Sequence, residues 1–335
     1  MVRFFLIIPT VFILVTLVFF LMRVIGDPIT ASQGGRLPPD VLAQRIQEAG
    51  YDRPVLVQYF EYLGQLITGD FGSTITDRRP VVEVLTTFGA ATLELSINAL
   101  IVALAVGIPP FGLIAAQHRD KTPDAFLRFF AILCYATPVF FSGLLLKLTF
   151  SVWLGWFPPV AGRASTRTEL TMSGLAAPSG IYWLDALRSG NFAALGDIVA
   201  HAVLPPAVAL GLLTAGVFLR LVRTNVIGTL GKDYVEAGRS RGVSEFRLVT
   251  KHAYKPALIP IITVMGLQIA LMLGGAILTE TTFEWKGLGY QLVQYLNARD
   301  FVAVQGIVVL LAIIVAVTNF VVDIIAALID PRVRY

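Results

Sequence analysis

The sequence is poor in the residues that build metal centres and covalent staples. It has one cysteine and three histidines in 335 residues. Cys134 stands alone, so neither a disulfide framework nor a cysteine metal site is available. His118, His201 and His252 are far apart in sequence, and no HExxH spacing occurs. Charge is scarce too: 14% of residues are Asp, Glu, Lys or Arg, against about 25% in soluble domains. The net charge of +4 comes with no basic-aromatic cluster, so nucleic acid is not an expected partner. A phosphate-binding G-x-x-x-x-G-K-[ST] loop is missing. The nearest approach, Gly228 to Asp233 (GTLGKD), has the wrong spacing and no hydroxyl residue after Lys232. There is no G-x-S-x-G elbow and no intramembrane aspartate pair for proteolysis. An enzyme is therefore a weak reading of this chain, and ATP held by a phosphate loop of its own is not expected.

What is abundant is apolar sequence. Hydrophobic residues make up 56% of the chain, and the mean hydropathy is +0.75. This composition predicts an all-α, polytopic membrane protein in contact with lipid. Six spans are expected, at about 1–25, 93–116, 129–153, 198–222, 259–278 and 301–328, because about 20 apolar residues cross a bilayer. The first resembles a signal peptide, but its apolar run is too long and no A-x-A-like site follows, so it is read as a retained helix. Residues 26–92 form an extracytoplasmic segment with short helices. In the better of these, 54–67, Val55, Tyr59, Tyr62, Leu63 and Leu66 share one face, which is expected to pack on the membrane domain. A second outer loop, 158–197, is rich in Gly, Ser, Thr and Ala and is expected to be partly ordered. Pro109-Pro110 and Pro138 should kink or interrupt their spans. Arg119, Lys121 and Arg128, the 223–258 loop and the 329–335 tail carry the cation excess that places both termini in the cytoplasm. Glu94 and Asn98 lie inside a span, where polar groups are costly in lipid, so they should face protein or a cavity.

The loop 223–258 leads into the longest polar, cation-rich run, Asp233–Pro260. It reads as two short helices. Asp233 is expected to cap the first, with Glu236 three residues on. Gly242 stops that helix, since glycine takes the left-handed C′ conformation at little cost. Ser244 is expected to cap the next, with Glu245 in its first turn. A folded cytoplasmic elbow suggests a docking surface; an ordinary basic loop obeying the positive-inside rule is the alternative.

Glu236-Ala237-Gly238 followed by Gly242 resembles the E-A-A-x-x-x-G signature of ABC-importer permease subunits. The wider run, DYVEAGRSRG through KHAYKPALIP, is similar to the peptide/nickel branch of that family. So are TLELSINALIVALAVGIP, ATPVFFSGLLL, TETTFEWKGLGYQLV and the tail VVDIIAALIDPRVRY, in order along nearly the whole chain. Gly238 departs from the signature, which has Ala there.

The resemblance implies a type I ABC importer permease fold with a cytoplasmic coupling loop, in a bacterial or archaeal plasma membrane. A second permease subunit would complete the pathway, two ATP-binding subunits carrying ATP and Mg would dock beneath, and an extracytoplasmic binding protein would deliver substrate. The expected cargo is a dipeptide or oligopeptide. A nickel chelate, an oligosaccharide or an opine would use the same machinery, and a proton-coupled carrier or channel is the reading from a different class. Coupling would fall to Glu236, Ala237, Gly238, Gly242, Ser244, Phe246, Arg247, Val249 and Lys251. The substrate pathway would involve Glu94, Asn98, Gln268, Glu280 and Trp285.

Overall fold

The computed structural model describes residues 2–33, 35, 37–107, 118, 121–158 and 162–329. The expected Pro109-Pro110 kink, much of the loop after it and the 330–335 tail lie outside these residues. The described residues are overwhelmingly helical, with a single isolated β-bridge between Ser73 and Pro80. The chain divides into two compact units, Met1–Thr92 with Lys286–Val317, and Leu93–Trp285 with Thr318–Tyr335.

The first unit is built on the helix Val2–Ile25. The aromatic face of the helix Val55–Ile67 packs on it. Tyr59 and Tyr62 lie 5.3 and 5.4 Å, centroid to centroid, from the Phe19 ring, and the Tyr59 hydroxyl is 2.7 Å from Thr16 Oγ1. The core joins Val81, Val84 and Leu85 to Leu288, Tyr295, Ala303, Val304 and Ile307. Asp300, fully buried, organises the turn before the helix Phe301–Ile329. Its carboxylate accepts from the backbone N–H of Ile75 (2.7 Å), Thr76 (2.8 Å) and Ala303 (3.2 Å), so a buried charge is satisfied by backbone donors.

The second unit is organised around the helix Val208–Leu230, which packs against Thr122–Ala136 and Tyr254–Thr282. Close approach depends on small residues. A Cβ on Gly211 would lie 2.7 Å from the Ala99 carbonyl, and one on Gly216 would lie 2.8 Å from that of Ala131. Small residues at these points let the helix backbones approach closely.

Two of the expected spans take a more specific form in the structure. The 129–153 segment is interrupted at Pro138, as that proline leads one to expect. Thr122–Ala136 and Val139–Trp153 meet at 108°. Thr137 is extended, with ψ 127°, as a residue before proline prefers, and Pro138 offers no N–H to continue the ladder. The segment expected at 198–222 begins as a π-helix, Val199–Ala207, around Pro205-Pro206. The α-helix runs only from Val208, but continues to Leu230. The 223–258 loop is correspondingly shorter than expected. Among the described residues, three helices are long and apolar enough to cross a membrane, or four if the bent pair is one span. The 158–197 loop is also more ordered than expected, its described residues including the helices Thr166–Ser173, Tyr182–Arg188 and Phe192–Ile198.

Candidate functional site

After Leu230 the chain turns into the helix Asp233–Ser240. The helix start differs from expectation. Lys232 occupies the N-cap and no side chain caps the helix; Asp233 is already helical, so its carboxylate serves the dipole rather than the cap. The stop is as the glycine pattern predicts. Gly242 sits at φ +77°, its N–H donates to the Arg239 carbonyl at 3.0 Å, and Val243 N–H donates to that of Gly238 at 3.2 Å. This pair of bonds is a Schellman motif, which satisfies two orphan carbonyls. Ser244 takes the next N-cap, but again without a side-chain bond.

The second helical piece, Glu245–Arg247, continues as a π-helix, Leu248–Ala253, and then as the long helix Tyr254–Thr282. It is anchored from below. Leu248 is fully buried, and Val249, 2% exposed, packs in a cluster with Phe218, Val222, Val226 and Ile261. Val249, expected to meet a partner, thus makes its apolar contact inside the chain. Gly238 has a packing reason: a Cβ there would lie 2.9 Å from Leu248 Cδ2. The two arms cross closely here, and the alanine of the signature would require the Leu248 side chain to shift.

The charged side chains form an exposed network. Arg239 binds both Glu236 and Glu245, the latter at 2.6 Å. Hydrogen bonding to Glu245 holds the Arg239 guanidinium above its ordinary value, and the same bond holds the Glu245 carboxyl below its own. Around this fork Ala237, Gly242, Ser244, Arg247 and Lys251 are all exposed. Two large apolar side chains stand out of it: Phe246 is 68% exposed and Tyr234 50%. A turned pair of helices therefore presents an aromatic pair with a cationic rim.

The residues expected along a pathway lie elsewhere in the same unit. Glu94 is fully buried and Trp285 also. Both surround a residue the sequence did not single out, Arg163. Its Nε donates to Glu94 at 3.1 Å and its terminal nitrogen bonds Glu94 and the Gly180 carbonyl, the latter at 2.5 Å. The guanidinium stacks 3.6 Å from the Tyr182 ring and 5.6 Å from that of Trp285. Trp183 N–H gives Glu94 a further bond, at 3.2 Å. Asn98 is buried one turn along from Glu94, and its Nδ2 has no partner among the described residues. Glu280 is fully buried, with its backbone carbonyl bonded to Trp285 N–H at 2.8 Å. Gln268 is buried too but lies about 18 Å down the helix from Glu280, so it does not join this group.

A second pair, likewise unread in the sequence, ties the helices Thr122–Ala136 and Val208–Leu230 together, with Asp124 fully buried and Arg223 partly so. Arg223 grips Asp124 with two bonds, 2.5 and 2.8 Å. The partners are 99 residues apart, and no local pattern announces them. At the end of the helix Phe192–Ile198, Asp197 accepts from Ser165 N–H and Oγ and sits 3.2 Å from His201. Burial pushes its carboxyl up, but bonds from Thr168 and Ser165 outweigh that and leave it below its ordinary value.

Known proteins resemble this chain over nearly its whole length. The profile of the family described as binding-protein-dependent transport system inner membrane component matches residues 108–335. The di/tripeptide transport system permease protein DppB of Pseudomonas aeruginosa (strain UCBPP-PA14) is 38% identical over 332 residues, 98% of this chain and 96% of that protein. The dipeptide permease DppB of Escherichia coli (strain K12) is 37% identical, with the same coverage of 98% and 96%. The glutathione transport system permease protein GsiC of Salmonella typhimurium is 34% identical over 329 residues, again 98% and 96%. Among solved structures, an inward-facing crystal form of the MetNI methionine ABC transporter gives a TM-score of 0.51 at 16% identity. It covers 75% of this chain and 98% of that one, a likeness of fold alone. Full-length similarity of this strength, carried by an all-helical membrane architecture, assigns the chain to the binding-protein-dependent transport system inner membrane component family.

Proposed function

We propose that this chain is one of two permease subunits of an ATP-driven importer of dipeptides and short oligopeptides. It crosses the membrane six times, counting the bent pair as one span and adding Val2–Ile25 and Tyr254–Thr282 to the three long apolar helices. Both termini lie in the cytoplasm of a bacterial or archaeal cell. The elbow 233–253 seats in an ATP-binding subunit, with Phe246 and Tyr234 as apolar anchors and Arg247 and Lys251 on the rim. ATP and Mg are held by those partners, and a binding protein delivers peptide from outside.

The observation that carries this reading is the exposed Phe246 on a pre-folded helix–turn–helix whose underside is locked into the core. Large exposed aromatics on rigid elements are typical interface anchors. An ordinary basic loop has no need of a Schellman turn or a buried Leu248. The similarity to DppB proteins over nearly the full length supports peptide as the cargo class. A proton carrier would use a free intramembrane acid, whereas Glu94 is held by Arg163.

The test is reconstitution of the complex in proteoliposomes with Gly242→Pro and Glu236→Lys variants. Proline cannot reach φ +77° and lacks the N–H that closes the turn. Peptide uptake is expected to collapse while the chain still inserts and ATP is still hydrolysed. Wild-type uptake by both variants would overturn the docking assignment. Equilibrium binding of peptides to the cognate binding protein tests the cargo separately.

A further inference from the structure

The unit made of Met1–Thr92 and Lys286–Val317 encloses a cavity of about 310 Å³ that the transport reading does not use. Its lining includes Arg23, Gln58, Glu61, Tyr62 and Gln305. Four buried polar atoms on these residues make no hydrogen bond of good geometry among the described residues: Arg23 Nε, Gln58 Oε1, Tyr62 OH and Gln305 Nε2. Tyr62 and the Gln305 amide, and Arg23 and Tyr51, approach each other only as looser pairs. Gln58 and Gln305 are 8% and 9% exposed. Buried polar groups are nearly always paired, so four such atoms on one cavity need an explanation.

The groups are built into place. The Arg23 guanidinium sits 4.9 Å from the Phe19 ring and 4.7 Å from the Tyr51 ring, and no carboxylate ion-pairs with it among the described residues. Gln58 Nε2 donates to the carbonyls of Arg53 (2.7 Å) and Tyr51 (3.1 Å), which fixes its amide with Oε1 left over. Tyr62 OH lies near both the Gln305 amide and Arg23. They pull its pKa down, yet burial prevails and pushes it up to about 12, so it stays a neutral donor.

The set offers three donors and one acceptor. Three converging donors, one of them cationic, match an oxyanion. Glu61 on the same wall is ion-paired to Arg53. Among the described residues Arg23 is thus the one cation on the lining without a carboxylate ion pair, which suits a monoanion, and Gln58 Oε1 can accept from an N–H end. The volume is at the low end for small-molecule sites, about 300–1,000 Å³. We propose that this cavity binds a free amino acid or dipeptide, its carboxylate held by Arg23, Tyr62 and Gln305 and its N–H by Gln58 Oε1. The choice of peptide among carboxylates rests on the peptide-import reading; the site itself does not.

The full chain in lipid nanodiscs, without partners, is dialysed against radiolabelled L-alanyl-L-alanine, its C-terminal amide and inorganic phosphate. Saturable, one-to-one dialanine binding is expected, at least tenfold tighter than the amide. Arg23→Met and Gln305→Leu should each weaken it at least tenfold, the second guarding against a folding defect in the first. Absence of saturable dialanine binding, binding unchanged in both variants, or binding of phosphate in its place would each overturn the proposal. The two assignments fail separately. Normal ATP-driven uptake without this binding removes the cavity assignment and keeps the importer. Binding without any uptake does the reverse.

Discussion

Two charge networks in the larger unit use the same residue types for opposite ends. Around Arg163 a carboxylate, a carbonyl and two aromatic rings close on one guanidinium, and the Arg163 and Glu94 side chains are 8% and 0% exposed. Around Arg239 two glutamates share one guanidinium in the open, with side-chain exposures of 40% for the arginine and 65% and 64% for Glu236 and Glu245. The first is buried and its ion pair is spent within the fold. The second contributes little to folding, since exposed pairs are screened by water, and keeps its geometry available to a partner. Burial, not charge, separates scaffold from surface in this chain.

The comparison predicts effects of very different size. Arg163→Met strands the Glu94 carboxylate in a dry site, and breaking a buried pair costs about 3–5 kcal/mol. Thermal unfolding of the purified chain should show it, and Glu94→Leu/Arg163→Met should recover most of the loss. If the single variant melts like wild type, the network is not scaffold. Phe246→Ala has the opposite profile. Stability should stay within about 0.5 kcal/mol, as for surface substitutions, while association with the ATP-binding subunits should weaken about 30-fold, the scale of an interface anchor. Smallest is the pH effect in the elbow. Glu245 titrates below its ordinary 4.5 because of its bond to Arg239. That contribution is therefore present above pH 4.5 and fades as pH falls through the lower, folded value. Melting curves across this window should differ only slightly between wild type and Arg239→Gln. A large difference would mean the fork is a structural element after all.

Much of this was legible in the sequence because its signals are local. Apolar runs mark the helices, Pro138 marks a break, and Gly242 marks the turn. The depth of the break was not legible, since a proline permits anything from a kink to the observed 108° corner. Caps were over-read: Asp233 and Ser244 are good cap residues, but neither side chain makes the bond. Val249 has the composition of a surface anchor, yet it falls on the inward face of its turn. Gly238 looked like a weakened helix and turned out to be a crossing point. Arg163 and the Asp124–Arg223 pair were invisible, because their partners lie 69 and 99 residues away and a lone arginine in a loop of small residues carries no periodicity.

The central claim is that the exposed face of the elbow is seated in an ATP-binding subunit. Replacing Phe246 by the photo-crosslinker p-benzoylphenylalanine in the assembled complex tests it most directly. The account predicts irradiation-dependent crosslinks from this position to an ATP-binding subunit, and none to that subunit from the same probe at Val57 on the outer segment. Crosslinks from position 246 only to lipid or to the second permease would contradict it.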